Sequence, residues 1–224
     1  LWTVCGVARA APCAEGGRGV DTTAALSGWG VDARNLRFIS EQRAAISPRN
    51  IHRLRLQWAF ALPDTDAPRF MPLLTPDTGL ITDAPGMVYG LDRYSGCEKW
   101  RFDEGAMVRT ALTHIRVGGL DLVMVGTMTC ELLALRLGNG ELHWSSMVGD
   151  HERAMLSGSP VFHDGVFYQP VSSWEVFWAG NPFYACCTFR GSVVAVDAVD
   201  GKIIWRGHSI AEEATVQIER WLLP

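Results

Sequence analysis

The sequence predicts an all-β protein, a partial β-propeller of about four antiparallel four-stranded blades. Three observations support this fold class: an eleven-residue pattern that occurs three times, a strong hairpin signal, and a tryptophan spacing that matches one blade. An ordinary β-sandwich is the alternative, because its short strands also recur every ~8 to 12 residues. A sandwich, however, gives no reason for a glycine and a tryptophan to keep fixed offsets in three copies.

The repeated pattern reads as a strand, a tight turn and a return strand that ends on tryptophan. Its copies occupy residues 90–100, 134–144 and 195–205. The seventh position is always glycine, at Gly96, Gly140 and Gly201. Glycine supplies the positive φ that a short hairpin turn needs. The tryptophan then lies at a fixed place on the return strand, where it can cover the neighbouring repeat.

The spacing of the tryptophans gives the length of a blade. Trp58 looks like the end of an earlier, imperfect repeat, and the successive spacings are then 42, 44 and 61 residues. A four-stranded propeller blade has about 40 to 45 residues, so the third blade carries an insertion, between Val171 and Thr188. Asp164-Gly165 stands between alternating apolar runs and predicts a hairpin. A short helix is expected over residues 47–54, where Ser47 caps a first turn that begins with proline.

Composition excludes several classes of function. With 224 residues and 48% hydrophobic content, the chain can bury a core. A net charge of −4 without a Lys/Arg block argues against nucleic acid, which needs clustered cations. The lack of ~18 consecutive apolar residues argues against a membrane-spanning helix. We expect residues 1–26 to be an N-terminal extension or linker and residues 27–224 a propeller domain that is an incomplete fragment of a longer protein.

The opening segment and the repeats together resemble a known family. Residues 28–30 read Gly-Trp-Gly, residues 35–38 read Asn-Leu-Arg-Phe, and residues 54–60 follow after the short helix. These features resemble quinoprotein alcohol dehydrogenases that use pyrroloquinoline quinone (PQQ), and are most similar to the polyvinyl-alcohol dehydrogenase branch. The resemblance covers residues 27–206. It implies a periplasmic oxidoreductase that oxidises an alcohol or polyvinyl alcohol by Ca²⁺-assisted hydride transfer to PQQ, with a cytochrome c as electron acceptor.

The resemblance assigns roles to residues of two motifs. Arg109, in Val-Arg-Thr-Ala-Leu at 108–112, matches the arginine that reaches the quinone oxygens; a solvated surface arginine is the alternative. Glu175, in Val-Ser-Ser-Trp-Glu at 171–175, matches a ligand of Ca²⁺, and an exposed loop acid is its alternative. Ser173 and Arg190 belong to the same region and are assigned to cofactor binding.

The cysteines and histidines add one candidate. By the resemblance, the adjacent Cys186 and Cys187 form a vicinal disulfide against the quinone, although methanol dehydrogenase has its pair just before the arginine and here it follows on the next blade; two buried thiols are the alternative. Such a disulfide agrees with an oxidising periplasm. Cys5 and Cys13 can close a loop or stay structural or free. The sequence has neither HExxH nor CxxCH, so neither a zinc protease site nor covalent haem is expected.

Two classes of function remain open at this stage. One is the PQQ-dependent dehydrogenase, whose catalytic base and remaining Ca²⁺ ligands are expected on later blades. The other is a non-catalytic propeller scaffold like the outer-membrane protein assembly lipoprotein. Arg109, Glu175 and the cysteine pair favour the enzyme, because a scaffold has no need of them.

Overall fold

The computed structural model describes residues 10–17, 19–23, 26, 28–30, 36–66 and 68–215. The strands are β1 (Leu73–Leu74), β2 (Thr78–Thr82), β3 (Met87–Asp92), β4 (Glu98–Asp103), β5 (Thr113–Val117), β6 (Leu120–Gly126), β7 (Glu131–Arg136), β8 (Leu142–Met147), β9 (Ala154–Met155), β10 (Val161–His163), β11 (Val166–Ser173), β12 (Ser192–Asp197) and β13 (Ile203–His208). The helices are α1 (Glu41–Ala44) and α2 (Glu175–Trp178), with 3-10 turns at Glu15–Gly17 and Ile51–Arg53. Within these ranges no helix is long and apolar enough to cross a membrane.

The strands form three antiparallel sheets in which chain neighbours are also sheet neighbours. Blade 1 has the order β1-β2-β3-β4, blade 2 has β5-β6-β7-β8, and blade 3 has β10-β11-β12-β13 with β9 added beside β11. This up-and-down order is that of propeller blades. The predicted fold class is confirmed: the described residues contain three complete blades.

The up-and-down order separates two ends of each blade. The turns between first and second strands and between third and fourth strands lie at one end, called here the turn end. The opposite end, called the loop end, holds the turns between second and third strands and the connections between blades. Its segments are residues 83–86, 104–112, 127–130, 148–160 and 174–191. The insertion predicted in the third blade is therefore a loop-end segment.

Blade 2 packs on both neighbours with alternating side chains. On β6, Leu122 and Met124 join one buried cluster, which includes Phe167 of blade 3. Val123 and Val125 join the other cluster, which reaches blade 1. Because successive side chains of a strand point to opposite faces, a strand buried on both faces needs an unbroken apolar run. This explains why Leu-Val-Met-Val at 122–125 shows no polar alternation.

The three repeats are equivalent in the sheets. In each, the first residue of the pattern pairs with the tryptophan, and the register shifts immediately afterwards. The pairs are Gly90 with Trp100, Ala134 with Trp144, and Ala195 with Trp205. The predicted equivalence of the three tryptophans is therefore confirmed.

The turn glycine of each repeat packs on the tryptophan that precedes the repeat. The pairs are Trp58 with Gly96, Trp100 with Gly140, and Trp144 with Gly201. A Cβ placed on Gly201, whose φ is 75°, would lie 2.6 Å from Cε3 of Trp144. The indole Nε1 of Trp144 also donates to the Ala198 carbonyl at 3.1 Å. Glycine is thus required for two reasons: its φ is positive, and the Trp144 ring leaves no room for a Cβ.

The segment before blade 1 differs from the prediction. Trp58 makes the expected packing contact, although residues 54–60 contain no strand. The helix expected over residues 47–54 is wrong in form, because only Ile51–Arg53 is helical, as a 3-10 turn. The side chain of Ser47 was expected to accept a backbone N–H as the cap. Instead, the side chain of Asn50 accepts, and the Ser47 N–H donates to its Oδ1 at 2.7 Å. Of the opening segment, residues 31–35 lie outside the described residues.

The described residues between 10 and 26 run along blade 1. Pro12 forms a parallel bridge with Glu98, and Cys13 is joined to Cys97 by a disulfide. The option of a Cys5–Cys13 loop is therefore wrong, since Cys13 has another partner; Cys5 itself lies outside the described residues. A disulfide across 84 residues ties this segment to the turn directly before β4.

A buried lysine makes a second link to this segment. The side chain of Lys99 is 2% exposed, and its ammonium donates to the Gly19 carbonyl at 2.7 Å and to Oδ2 of Asp77 at 2.8 Å. Burial acts to raise the pKa of Asp77, but Lys99 and other hydrogen-bond donors outweigh it and lower the pKa to about 2. The lysine charge is thus compensated inside the protein.

Candidate functional site

Loops from all three blades meet at the loop end. Val108, in the connection from blade 1 to blade 2, forms an antiparallel bridge with Thr127 of blade 2. The N–H of Trp174, in the insertion of blade 3, donates to the Arg153 carbonyl at 2.8 Å. These backbone contacts fix the loops relative to one another, so side chains from separate blades can share one site.

A cavity of about 270 Å³ lies among these loops. Its walls include the apolar side chains of Met107, Trp174 and Phe177, and its charged groups are two arginines and two acids, Arg69, Arg109, Asp66 and Asp83. Concave, mostly apolar sites with a few polar groups are typical of ligand pockets. The cavity is therefore a mostly apolar concavity that offers a ligand charged groups of both signs.

The backbone on both sides of Arg109 is held firmly. Val108 is 3% exposed and Thr110 is fully buried, while Arg109 itself is half-buried. Oγ1 of Thr110 accepts the N–H of Gly126 at 2.9 Å. This local structure presents the arginine to the cavity, at the position that the resemblance assigned to quinone recognition.

Asp83 also lines the cavity, but its carboxylate serves the fold. Oδ1 accepts the N–H groups of Gly86 at 2.9 Å and Met87 at 2.7 Å, and Oδ2 accepts the Tyr89 hydroxyl at 2.7 Å. Burial and the Asp83 hydrogen bond raise the pKa of Tyr89 far above its ordinary value. Asp83 thus closes the turn between β2 and β3 and is no free base.

Glu175 starts the short helix α2 and is 3% exposed. Its Oε1 accepts the Tyr184 hydroxyl at 2.9 Å and the Thr188 N–H at 3.1 Å, and its Oε2 accepts the Phe189 N–H at 2.9 Å. Burial acts to raise the pKa of Glu175, but these donors outweigh it and keep the pKa below its ordinary value. The carboxylate is therefore ionised and bound to its own chain.

The cysteine pair lies inside the segment that Glu175 binds. Cys186 and Cys187 are joined by a disulfide, and the peptide bond between them is cis. Both residues are half-buried. Among the described residues, those that line the Arg109 cavity do not include this pair.

The two remaining predicted residues have partners of their own. Oγ of Ser173 accepts the Glu175 N–H at 2.9 Å and so supports the start of α2. Nη1 of Arg190 donates to the Ala211 carbonyl at 2.7 Å. The structure thus brings Ser173, Glu175 and the cysteine segment together and places Arg109 at the adjoining cavity, whereas Arg190 turns toward the chain after blade 3.

Sequence reasoning missed two groups at this end. His151, set aside as one of several scattered histidines, lies with Nε2 at 3.0 Å from Oγ1 of Thr188. Burial and the adjacent carboxylate of Glu131 raise the pKa of Glu104 to about 7. Neither has a sequence signal, because the partner residues, Glu131 and Thr188, are 27 and 37 positions away in the chain.

The residues present do not by themselves form a calcium site. In the part of the chain that the structure describes, no group of three or more His, Cys, Asp and Glu side chains is arranged to hold a metal ion. Ca²⁺ takes about six to eight oxygen ligands. Glu175 offers one carboxylate, whose two oxygens already accept hydrogen bonds from Tyr184, Thr188 and Phe189.

Known proteins resemble this chain in sequence and in fold. The sequence profile of the PQQ_2 family, described as outer membrane protein assembly factor BamB, matches residues 19–172. The chain belongs to the PQQ_2 family. The family's description names an assembly factor and does not by itself indicate catalysis.

Curated relatives of this PQQ_2 chain are dehydrogenases. It is 30% identical over 207 residues to a polyvinylalcohol dehydrogenase of Sphingopyxis sp. (strain 113P3), covering 90% of this chain and 31% of that protein. It is 29% identical over 191 residues to a polyvinylalcohol dehydrogenase of Pseudomonas sp, covering 84% of this chain and 29% of that protein. The predicted resemblance to quinoprotein alcohol dehydrogenases is confirmed. The chain spans less than a third of the length of these relatives.

A solved structure agrees on the fold. Quinohemoprotein alcohol dehydrogenase from Comamonas testosteroni matches with a TM-score of 0.65 and 19% sequence identity, over 85% of this chain and 28% of that one. At this identity the likeness establishes the fold alone.

Proposed function

We propose that this chain forms part of a PQQ-dependent oxidoreductase that oxidises a hydroxyl-bearing substrate, an alcohol or polyvinyl alcohol. The observation that carries the proposal is the loop-end cavity, where Arg109 faces apolar and aromatic walls. The names of the curated relatives support the same reaction class. A scaffold gains nothing from an arginine placed in a cavity of this kind.

The cavity fits one side of such a cofactor. PQQ is a flat, anionic quinone, and a flat anion is matched by cations set among planar apolar walls. When bound, PQQ supplies a two-electron acceptor. In this role the Arg109 guanidinium would bind the adjacent quinone oxygens and stabilise negative charge on them, while Trp174 and Phe177 would exclude water and so strengthen that interaction.

Calcium remains a prediction from the resemblance, with Glu175 as its assigned ligand. Because the described residues do not form a metal site on their own, no step of the reaction is derived through the ion. The assignments of Ser173, Arg190 and the Cys186–Cys187 disulfide to cofactor contacts likewise stay predictions.

The cellular setting is proposed on chemical grounds. Two disulfides, Cys13–Cys97 and Cys186–Cys187, agree with an oxidising compartment, and we propose the periplasm. There a cytochrome c would accept the electrons. The second candidate function is the non-catalytic scaffold, and the description of the PQQ_2 family is the observation in its favour.

Binding of PQQ to the purified chain tests the proposal directly. Equilibrium dialysis should show saturable PQQ binding, and Arg109→Ala should weaken it about tenfold or more, the equivalent of one charge-assisted contact of about 1.4 kcal/mol. Arg136→Ala is the matched control, because Arg136 ends β7 at the turn end of blade 2. Absence of binding, or equal losses in the two variants, would favour the scaffold.

A further inference from the structure

The insertion of blade 3 contains a long stretch without regular structure. After α2 ends at Trp178, the described residues 179–191 form neither helix nor strand before β12 begins at Ser192. Such a segment cannot satisfy its backbone groups in a ladder, so other groups must fix it. The Cys186–Cys187 pair lies in this stretch.

One buried carboxylate supplies several of these contacts. Glu175 accepts from Tyr184 on one side of the cysteine pair and from Thr188 and Phe189 on the other. Oγ1 of Thr188 adds a longer contact of 3.4 Å to the same Oε1. Hydrogen bonds to an ionised acceptor are stronger than neutral ones. The cysteine pair is therefore flanked on both sides by residues bound to a single side chain.

A histidine extends the same network from the neighbouring loop. Nδ1 of His151 accepts the Arg153 N–H at 3.0 Å, which places the proton of a neutral ring on Nε2. That Nε2 lies 3.0 Å from Oγ1 of Thr188, and the hydroxyl can in turn donate to Glu175. His151 also packs edge-on against Phe189, with ring centroids 5.6 Å apart.

Aromatic rings cover the network from outside. The Arg153 guanidinium lies 5.4 Å from the ring centroid of Trp178 and 6.0 Å from that of Tyr184. Contacts of this kind stabilise a cation over an aromatic face. The connection between blades 2 and 3 therefore holds Tyr184 in the place where its hydroxyl meets Glu175.

We propose that Glu175 is a positioning residue whose carboxylate holds the segment 184–189 and thereby fixes the Cys186–Cys187 disulfide at the loop end. The inference goes beyond the proposed function and does not need it, because every contact lies within this chain. It also gives Glu175 a role other than that of a metal ligand.

The test is the rate at which each disulfide is reduced. The full chain is treated with dithiothreitol, and peptide mapping follows Cys186–Cys187 with Cys13–Cys97 as the internal reference. Glu175→Ala should accelerate reduction of the vicinal pair about tenfold or more, because the segment opens locally more often, and leave the reference unchanged. In Glu175→Gln the reduction rate of the vicinal pair should lie between those of wild type and Glu175→Ala. The amide oxygen of glutamine still accepts a hydrogen bond, but its nitrogen cannot accept from Phe189.

Two further variants complete the design. Tyr184→Phe keeps the ring and removes one donor, so a smaller acceleration of the vicinal pair is expected even if Glu175→Ala fails to fold. Glu141→Gln removes an exposed acid at the turn end and should behave as wild type. Unchanged rates in Glu175→Ala and Tyr184→Phe would overturn the proposal, as would equal acceleration of both disulfides. PQQ is absent from the experiment, so failure of the proposed function leaves its outcome intact.

Discussion

The packing of tryptophan on glycine between blades can be tested by adding a single methyl group. In Gly201→Ala the new Cβ would lie 2.6 Å from Cε3 and 2.7 Å from Cδ2 of Trp144. Neither the strand nor the turn can move freely, because Trp144 is 8% exposed and its indole N–H donates a hydrogen bond to the Ala198 carbonyl. The ring must shift, or the blade contact must open.

Two costs add in this variant. A residue with a Cβ at positive φ loses roughly 1–2 kcal/mol, and forcing an extra carbon into a packed contact typically costs about 1–3 kcal/mol. Gly201→Ala should therefore lower the free energy of unfolding by about 2–5 kcal/mol. Gly165→Ala isolates the first cost, because Gly165 also has positive φ, 80°, but an added Cβ meets nothing within 4 Å.

The measurement is equilibrium urea denaturation of the wild-type chain and the two variants, followed by far-UV circular dichroism. The decisive quantity is the difference between the two variants, about 1–3 kcal/mol. If Gly201→Ala loses no more stability than Gly165→Ala, the tryptophan does not constrain the turn. The physical reason given for the repeated glycine would then be wrong.

Three other outcomes follow from the structure. Because the folded-state pKa of Asp77 is about 2 and its ordinary value is 3.8, its contribution to stability is present above about pH 4 and is lost as the pH falls through 2. In Lys99→Met this acid dependence should shrink, as urea midpoints at pH 5 and pH 3 would show. The pKa of Glu104 is raised to about 7, so its contribution is fully present below about 4.5 and is lost as the pH rises through 7; Glu104→Gln should be more stable than wild type at pH 8 but not at pH 4. Finally, a dye-linked assay of the 224-residue chain with PQQ and Ca²⁺ should show no alcohol oxidation, because Ca²⁺ takes about six to eight oxygen ligands and Glu175 offers one carboxylate that its own chain already binds; turnover abolished by Arg109→Ala would contradict this.

The repeat architecture was predictable because its determinants are local. Gly140 and Gly201 each sit a few residues from the strands they connect, and the tryptophan offset fixes the register. Asp164-Gly165 likewise forms a two-residue turn with both φ values positive, 50° and 80°. In these cases the sequence window that carries the signal contains the whole interaction.

Contacts between distant segments were not predictable in the same way. The Cys13–Cys97 disulfide and the Lys99 contact with Gly19 join residues that are 80 or more positions apart. No spacing rule selects such partners among six cysteines. They depend on how the chain around Cys13 and Gly19 lies along blade 1, which only the folded structure determines.

The resemblance predicted which residues belong to the candidate site. The contacts between these residues became known only from the structure. Arg109 could be assigned from a matching motif, but a single arginine in a sequence does not reveal the cavity around it. His151 belongs to a different loop from its partner Thr188, 37 residues away. A polar network built from several loops leaves no periodic pattern and therefore escapes sequence reasoning.

The location of this network is itself informative. A propeller gains stability by repeating one blade, so an insertion that breaks the repeat and buries a carboxylate must be stabilised by contacts of its own. In residues 174–191 those contacts come from Glu175 and from the connection between blades 2 and 3. The insertion lies at the loop end, beside the cavity of Arg109, and contributes Trp174 and Phe177 to its walls. The interruption of the repeat thus marks where this propeller departs from a plain succession of blades.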